Sequence, residues 1–319
     1  MSTTTTTPTL SLGLVNRRDD EATDWSPLFD LARAADRAGI DRVTVSDHVV
    51  FGEHIEAYGR PELGGRIGGV QLTGPDGQWL EPLTVLAMVA ATTSRVRLQT
   101  RVLLAALRRP VVLAKTAATL DLLSGGRLDL GVGVGWQREE YDAAGLTFER
   151  RGTLLDHTLA VCQTLWRDRA ASYDSEGLSF SSIHCRPAPS QEGGVPIWVS
   201  GTLNARVIER IVRFGAGWIP WGPDADDLPG SLPRLHEALA SAGRDPAGLL
   251  VAGMLPEVTR ADGTLDIDRS MTGVPAMVSA GVTDFRLTAP VENQGADPLE
   301  HLTALVTAFR RTVGRVDVD

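Results

Sequence analysis

The chain has 319 residues, 43% hydrophobic and 22% charged, a composition that builds a substantial core and matches no fibrous or disordered class. Its formal net charge of −9 repels phosphodiester backbones and anionic lipid headgroups, and no basic run offsets it locally, which argues against nucleic acid and membrane partners. Two cysteines, Cys162 and Cys185, and no leading apolar stretch between a basic start and a small-residue cleavage site suggest a reduced, cytoplasmic protein.

In chain order, Ser2 to Thr7 is a threonine run without apolar periodicity, expected as a frayed tail over residues 1–8 ahead of one domain over 9–319. Short β-branched runs then alternate with stretches of helical period, the signature of parallel β/α units. Strand Leu10 to Val15 precedes helix Trp25 to Ala38, and Arg42 to Val45 precedes Pro82 to Thr92. Val96 to Thr100 leads to Pro110 to Leu123, Leu128 to Val132 to Thr153 to Trp166, and Ile197 to Val199 to Ala205 to Phe214. The series ends with Gly217 to Ile219 before Leu228 to Ala242, Leu249 to Ala252 before Asp268 to Ser279, and Asp284 to Leu287 before Pro298 to Val313. Pro82, Pro110 and Pro298 sit where a helix needs no N–H, and Gly39, Gly125, Gly215, Gly243 and Gly281 stand where helices stop. The predicted fold is α/β: a single (β/α)8 TIM barrel with insertion loops at the carboxyl face of its strands.

Two segments interrupt the rhythm. Phe51 to Glu81, rich in glycine and polar residues, is expected as a long loop over one mouth of the barrel. Arg169 to Pro196 contains an alternating stretch, Gly177 to Ser182, expected as part of a small hairpin. Lys115 is the sole lysine, so imine chemistry would depend on a side chain whose helical setting predicts a solvated stem.

Barrel enzymes keep their working groups where strands end, which singles out four places. Ser46-Asp47-His48 runs a strand into a carboxylate and an imidazole, able to orient a ring or move a proton, or to serve as a structural hydrogen-bonded pair. Arg101, after the third strand, is either an anion contact or a solvated cation. Gly131 to Trp136 permits close backbone approach to a flat ligand, but Trp136 stands where a dinucleotide fingerprint needs its third glycine. Ser200-Gly201-Thr202, with Asn204 opening the next helix, offers free N–H groups for an anion or an ordinary helix cap. His54 lies six residues past His48, without helical metal spacing, and no metal is expected.

Together these motifs resemble the bacterial luciferase-like family, in its branch that uses the deazaflavin coenzyme F420. The resemblance runs through Ser46 to His48, Glu81 to Thr100, LSGGRL leading into GVGVGW with a nearby glutamate pair, PIWVSG at Pro196 to Gly201, and GAGWIP at Gly215 to Pro220. It implies a (β/α)8 barrel, usually dimeric, holding a deazaflavin or FMN against the strand ends. It implies further that Asp47 and His48 lie near the ring, with His48 as proton carrier, and that Arg101-Val102 forms a bulge behind it, often through a cis peptide. Gly133, Val134, Gly135, Trp136 and Glu139 match the loop that contacts the cofactor, and Ser200, Gly201 and Thr202 match a stretch around its side chain and phosphate. Related sugar-phosphate dehydrogenases keep a catalytic glutamate where Trp136 stands and a tryptophan where Gly52 stands, so the resemblance does not extend to their substrate. Glu139 or Glu140 is either a substitute acid or a helix-dipole pair.

The resemblance thus implies an F420-dependent oxidoreductase acting on a small organic molecule. The alternatives are an FMN-dependent monooxygenase, which needs a dry pocket, and a cofactor-binding protein without turnover. Substrate contacts are expected from Phe51 to Glu81 and from the loop after the seventh strand.

Overall fold

The computed structural model describes residues 7–287 and 297–315; residues 1–6 of the expected tail lie outside them, and Pro8 is already buried. Eight parallel strands form a closed barrel: Thr9–Gly13, Arg42–Val45, Arg97–Thr100, Leu128–Val132, Ile197–Gly201, Gly215–Pro220, Leu250–Met254 and Asp284–Leu287. Each pairs with its neighbours in sequence, and closure comes from Leu10 pairing with Phe285 while Ser11 pairs with Arg42. Every strand lies within two residues of its expected bounds. Strands Arg42–Val45, Leu128–Val132 and Asp284–Leu287 are buried along their whole length, because one face packs under helices and the other fills the lumen.

The helices follow as expected, with two differences. Gly39, Gly125, Gly243 and Gly281 adopt the left-handed conformation that ends a helix, whereas Gly215 has φ −75° and begins the sixth strand directly. A side chain there would press on Ile211, with its carbonyl oxygen 3.0 Å away, so close packing rather than backbone sign selects that glycine. The seventh helix is broken into Ile267–Met271 and Val274–Ser279. Pro275 has no N–H and its ring would strike the carbonyl four residues back, so a new helix must start at this point.

The Phe51 to Glu81 insertion lies over the carboxyl ends, as two 3-10 turns, Ile55–Gly59 and Pro61–Leu63, followed by Gln78–Trp79 paired antiparallel to Arg17–Arg18. The second insertion forms the hairpin Ala171–Ser175 with Leu178–Ile183. Its return segment is bound at the amino ends, where Gln191 accepts from Arg97 and the Ser190 N–H donates to Asp121.

The lumen beneath the mouth is filled by charge. Asp284 Oδ1 accepts from Arg42 at 2.6 Å and from Ser11 at 2.6 Å, and its Oδ2 accepts from Arg286 at 3.0 Å. Asp129 accepts from Arg42 at 3.1 Å and from Arg97 at 2.9 and 2.7 Å. Arg286 also donates to Gln99 at 2.7 Å, and the guanidiniums of Arg42 and Arg286 lie 4.8 and 5.6 Å from the Trp198 ring centre. Burial favours the neutral acid at Asp284, yet Arg42 and Arg286 outweigh it and hold the carboxyl below its usual range.

A depressed folded-state pKa stabilises the fold above the ordinary aspartate value of about 3.9 and loses that contribution as pH falls through the folded value. Stability in urea should therefore rise between about pH 3 and 5, and Asp284→Asn should flatten that rise. The variant should also lose about 3–5 kcal/mol at neutral pH, because two buried guanidiniums lose their shared partner. An unchanged slope in Asp284→Asn would remove Asp284 from this role.

Candidate active site at the carboxyl ends of the strands

The end of the second strand is fixed from below by Asn16, which is fully buried after the first strand. Its amide donates to the carbonyls of Ser46 (2.8 Å) and Leu80 (2.9 Å), and its oxygen accepts from the Ser46 hydroxyl and N–H. Asp47 and His48 then diverge. Asp47 turns into the protein, where it accepts from the Leu104 N–H at 2.8 Å and from both terminal nitrogens of Arg108 at 2.7 and 3.1 Å. Burial raises the Asp47 carboxyl, with Arg108 opposing; despite its own burial, Arg108 is held above its usual value by Asp47 and by Glu81. Asp47 therefore anchors the turn after the third strand, where adjacency in sequence had suggested a partner for His48.

The partner of His48 is Glu140. From the first turn of the short helix Arg138–Ala143, its buried side chain places Oε1 at 3.3 Å from His48 Nδ1 and at 2.8 Å from the Val49 N–H. His48 Nε2 faces the Gln71 amide at 3.4 Å. These partners assign the proton to Nδ1 and the lone pair to Nε2. The ring stands among aromatic walls: Phe51 at 4.4 Å, Trp79 edge-on at 4.7 Å and Trp136 edge-on at 5.9 Å, with Tyr58 a further 5.5 Å from Trp136.

The glycine-rich loop is shaped by its protein neighbours. A side chain at Gly133 would meet Val102 at 2.6 Å, and one at Gly135 (φ +68°) would meet Leu104 at 2.9 Å. Val134 is held through its carbonyl by Tyr141 at 2.7 Å. Trp136 is 5% exposed, and its Nε1 is buried with no acceptor among the described residues. Gln137 staples the loop to the early histidine segment by accepting from the Gly52 N–H at 2.6 Å and donating to the Val50 carbonyl at 3.0 Å. Glu139 lies against Gly52, where any Cβ would meet its Cγ at 2.3 Å.

On the other side of the mouth the Arg101-Val102 peptide is cis. Val102 packs with the Trp198 cluster of the barrel floor, while Arg101 reaches Met254 Sδ at 3.7 Å. Ser200 is partly buried, and the Thr202 hydroxyl donates to the Trp221 carbonyl at 3.0 Å. Asn204 caps its helix by accepting from the Val207 N–H at 3.0 Å. Trp221 closes the ring of the mouth by donating to the Gly65 carbonyl at 3.2 Å. The mouth thus brings together His48, Trp136, Arg101 and Val102, with Ser200 to Thr202 on the Trp221 side and Asp47 beneath. Sequence reasoning missed Gln137 and Gln71 and left Glu140 undecided; the only signal was a polar run beside Trp136. Among the described residues no cluster of His, Cys, Asp or Glu is arranged to hold a metal, and no helix is long and apolar enough to cross a membrane.

A closed β/α barrel with a histidine-carboxylate pair in an aromatic mouth defines a barrel of the enzyme type. Residues 8–263 match the family model described as luciferase-like monooxygenase. An F420-dependent glucose-6-phosphate dehydrogenase of Kineococcus radiotolerans is 30% identical over 284 residues, covering 86% of this chain and 73% of that one. An uncharacterised protein of Mycobacterium tuberculosis is 38% identical over 174 residues, 54% of this chain, and the match spans only 61% of that relative. A solved F420-dependent secondary alcohol dehydrogenase, in complex with an F420-acetone adduct, superposes with a TM-score of 0.71 at 15% identity, covering 95% of this chain and 99% of that one. The chain belongs to the luciferase-like monooxygenase family.

Replacing Asp47 by alanine should cost about 3 kcal/mol or more in urea unfolding, because the Arg108 guanidinium and the Leu104 N–H both lose a buried acceptor. A wild-type stability in that variant would show that Asp47 is not the anchor of the turn.

Proposed function

We propose that this chain is an F420-dependent oxidoreductase that moves a hydride between the deazaflavin ring and a small organic substrate, with His48 taking up or returning the proton. The observation that carries this reading is the His48–Glu140 pair inside the aromatic mouth. With Nδ1 turned to Glu140, His48 Nε2 accepts a proton from a hydroxyl that takes the place of the Gln71 amide, and the buried Glu140 carboxylate beneath stabilises the imidazolium that results. Phe51, Trp79 and Trp136 exclude water from this transfer and fix the plane of the ring. The mouth also suits a flat heteroaromatic group, since its walls are aromatic and the buried Trp136 Nε1 has a donor to offer. The Arg101-Val102 peptide would back it, and Gly133 to Trp136 and Ser200 to Thr202 would hold it, with Glu139 at the edge beside Gly52. When bound, the deazaflavin supplies the carbon that gives or accepts hydride.

The Kineococcus relative, matched over 86% of this chain, supports deazaflavin as the cofactor, as does Ser46-Asp47-His48 at the end of the second strand. The family description supports a second reading, an FMN-dependent monooxygenase. Titration of the purified protein with each cofactor, followed by fluorescence, separates the two: deazaflavin binding is expected, and tight FMN binding without a deazaflavin response would replace the first reading by the second. With the cofactor in place, His48→Gln should lower kcat by about 10²–10⁴-fold without lowering the melting temperature. Unchanged turnover would remove His48 as proton carrier.

The outer faces of helices Pro82–Thr92 and Pro110–Leu123 support a homodimer, since Met88, Val112, Leu122 and Leu123 are exposed there. Light scattering should give twice the mass of a single chain, and Val112→Glu should shift it toward one; a monomeric wild type would dismiss the dimer. Two free buried cysteines accord with a reducing compartment, the cytoplasm.

A further inference from the structure

Arg17, Arg101 and Tyr58 reach the mouth after the first strand, after the third strand and from the loop over the opening; Arg17 lies by Trp79, Tyr58 by Trp136, and each of the three acts electrostatically on the other two. Among the described residues neither arginine has a carboxylate within ion-pair distance. Arg17 donates to the Ser46 hydroxyl at 3.4 Å and lies 5.3 Å from the Trp79 ring centre, and Arg101, among the described residues, donates to Met254 Sδ. The acids that act on Arg101 are Asp284, already bound by Arg42 and Arg286, and Glu257. Burial above all, and Arg17 in part, lower Arg101 from its usual value; burial likewise lowers Arg17. Tyr58 is raised by burial and pulled back by Arg66, Arg101 and Arg17, which places its hydroxyl within the field of all three. In a chain of net charge −9, two half-buried guanidiniums that meet no carboxylate among the described residues are a standing demand for an anion. Arginine's fork matches the planar oxygens of a carboxylate or the oxygens of a phosphate.

We propose that the substrate of this site is an oxyanion with an apolar body, its carboxylate or phosphate held by Arg17 and Arg101 and its body resting on Trp79 and Trp136. This assignment rests on the oxidoreductase reading of the mouth and adds the chemical class of what is oxidised or reduced there. The substrate's acidic end is tethered near Arg101 and Met254, and its reacting carbon is thereby aimed toward His48. Such tethering turns remote binding energy into alignment.

Benzoate and benzamide share size and shape and differ by one charge, and phenyl phosphate tests the second oxyanion. Followed by the protein's tryptophan fluorescence, benzoate or phenyl phosphate should bind at least about tenfold more tightly than benzamide, and added salt should weaken the anions alone. The tighter of the two anions names the acidic group. Arg17→Met and Arg101→Met should each lower anion affinity by about tenfold or more while leaving benzamide unchanged. Neither variant should melt below the wild type, because each removes a half-buried charge that has no carboxylate partner among the described residues. Equal binding of benzamide and the anions in the wild type, or full anion affinity in both variants, would overturn the proposal. Deazaflavin affinity should stay within about threefold in Arg17→Met; its loss there would transfer the arginine pair to the cofactor and equally overturn the substrate assignment. A wild type that selects the anions yet ignores deazaflavin defeats the cofactor reading alone and leaves the oxyanion pocket upheld.

Discussion

An eight-stranded barrel must fill its own lumen, and everything at the mouth of this protein depends on how it does so. Arg42, Gln99, Asp129, Trp198, Asp284 and Arg286 occupy the interior in place of the branched aliphatics that usually fill one. Burial of so many charges is tolerable because each carboxylate is shared, Asp284 by Arg42 and Arg286 and Asp129 by Arg42 and Arg97. The shared geometry also ties the second, third, fourth and eighth strands together across the axis, giving the barrel a stiff polar floor with Trp198 packed against it.

Above that floor the inward positions become small. Side chains alternate along a strand, so Gly13 follows Ser11, Thr44 follows Arg42, Gly131 follows Asp129 and Ser200 follows Trp198 on the lumen side. The space this leaves is the mouth, and its aromatic walls are brought by loops: Phe51, Tyr58 and Trp79 come from the insertion after the second strand. Strands set where His48 and Arg101 emerge, and the insertion decides what surrounds them. The division accords with a family in which one scaffold serves different reactions.

The alternation of short apolar runs and helical periods made all eight strands legible, because the core of each is buried and its pattern is set by residues a few positions apart. The broken seventh helix was less so, since Pro275 falls within an otherwise helical period. At the candidate site the strand ends were legible but the side-chain partnerships were not. Asp47 and His48 are adjacent, yet Asp47 meets Arg108, 61 residues on, and His48 meets Glu140, 92 residues on. Pairings across such separations depend on which way a strand end and a loop turn, which no local period encodes. The charged floor was invisible for a similar reason: Arg42 and Asp129 begin or lie within strands read from their aliphatic neighbours, and only closure of the barrel shows that they face one another.

The two positions at which this chain departs from the sugar-phosphate enzymes have a common physical account. Glu139 and Glu140 are neighbours on one helical turn, about 100° apart around its axis, so they reach different surroundings. Glu140 passes inward beneath His48, and Glu139 lies over residue 52, where its Cγ already occupies the place of a Cβ. Residue 52 must therefore be glycine in this arrangement, and the aromatic surface near the histidine is provided by Trp79 and Trp136 instead. Acid and aromatic are both still present around His48, but each arrives from a different element. A substitution that looks like loss when single positions are compared is, in three dimensions, a redistribution of the same side-chain types: the histidine-carboxylate pair stays at one end of the mouth while the shape around it changes.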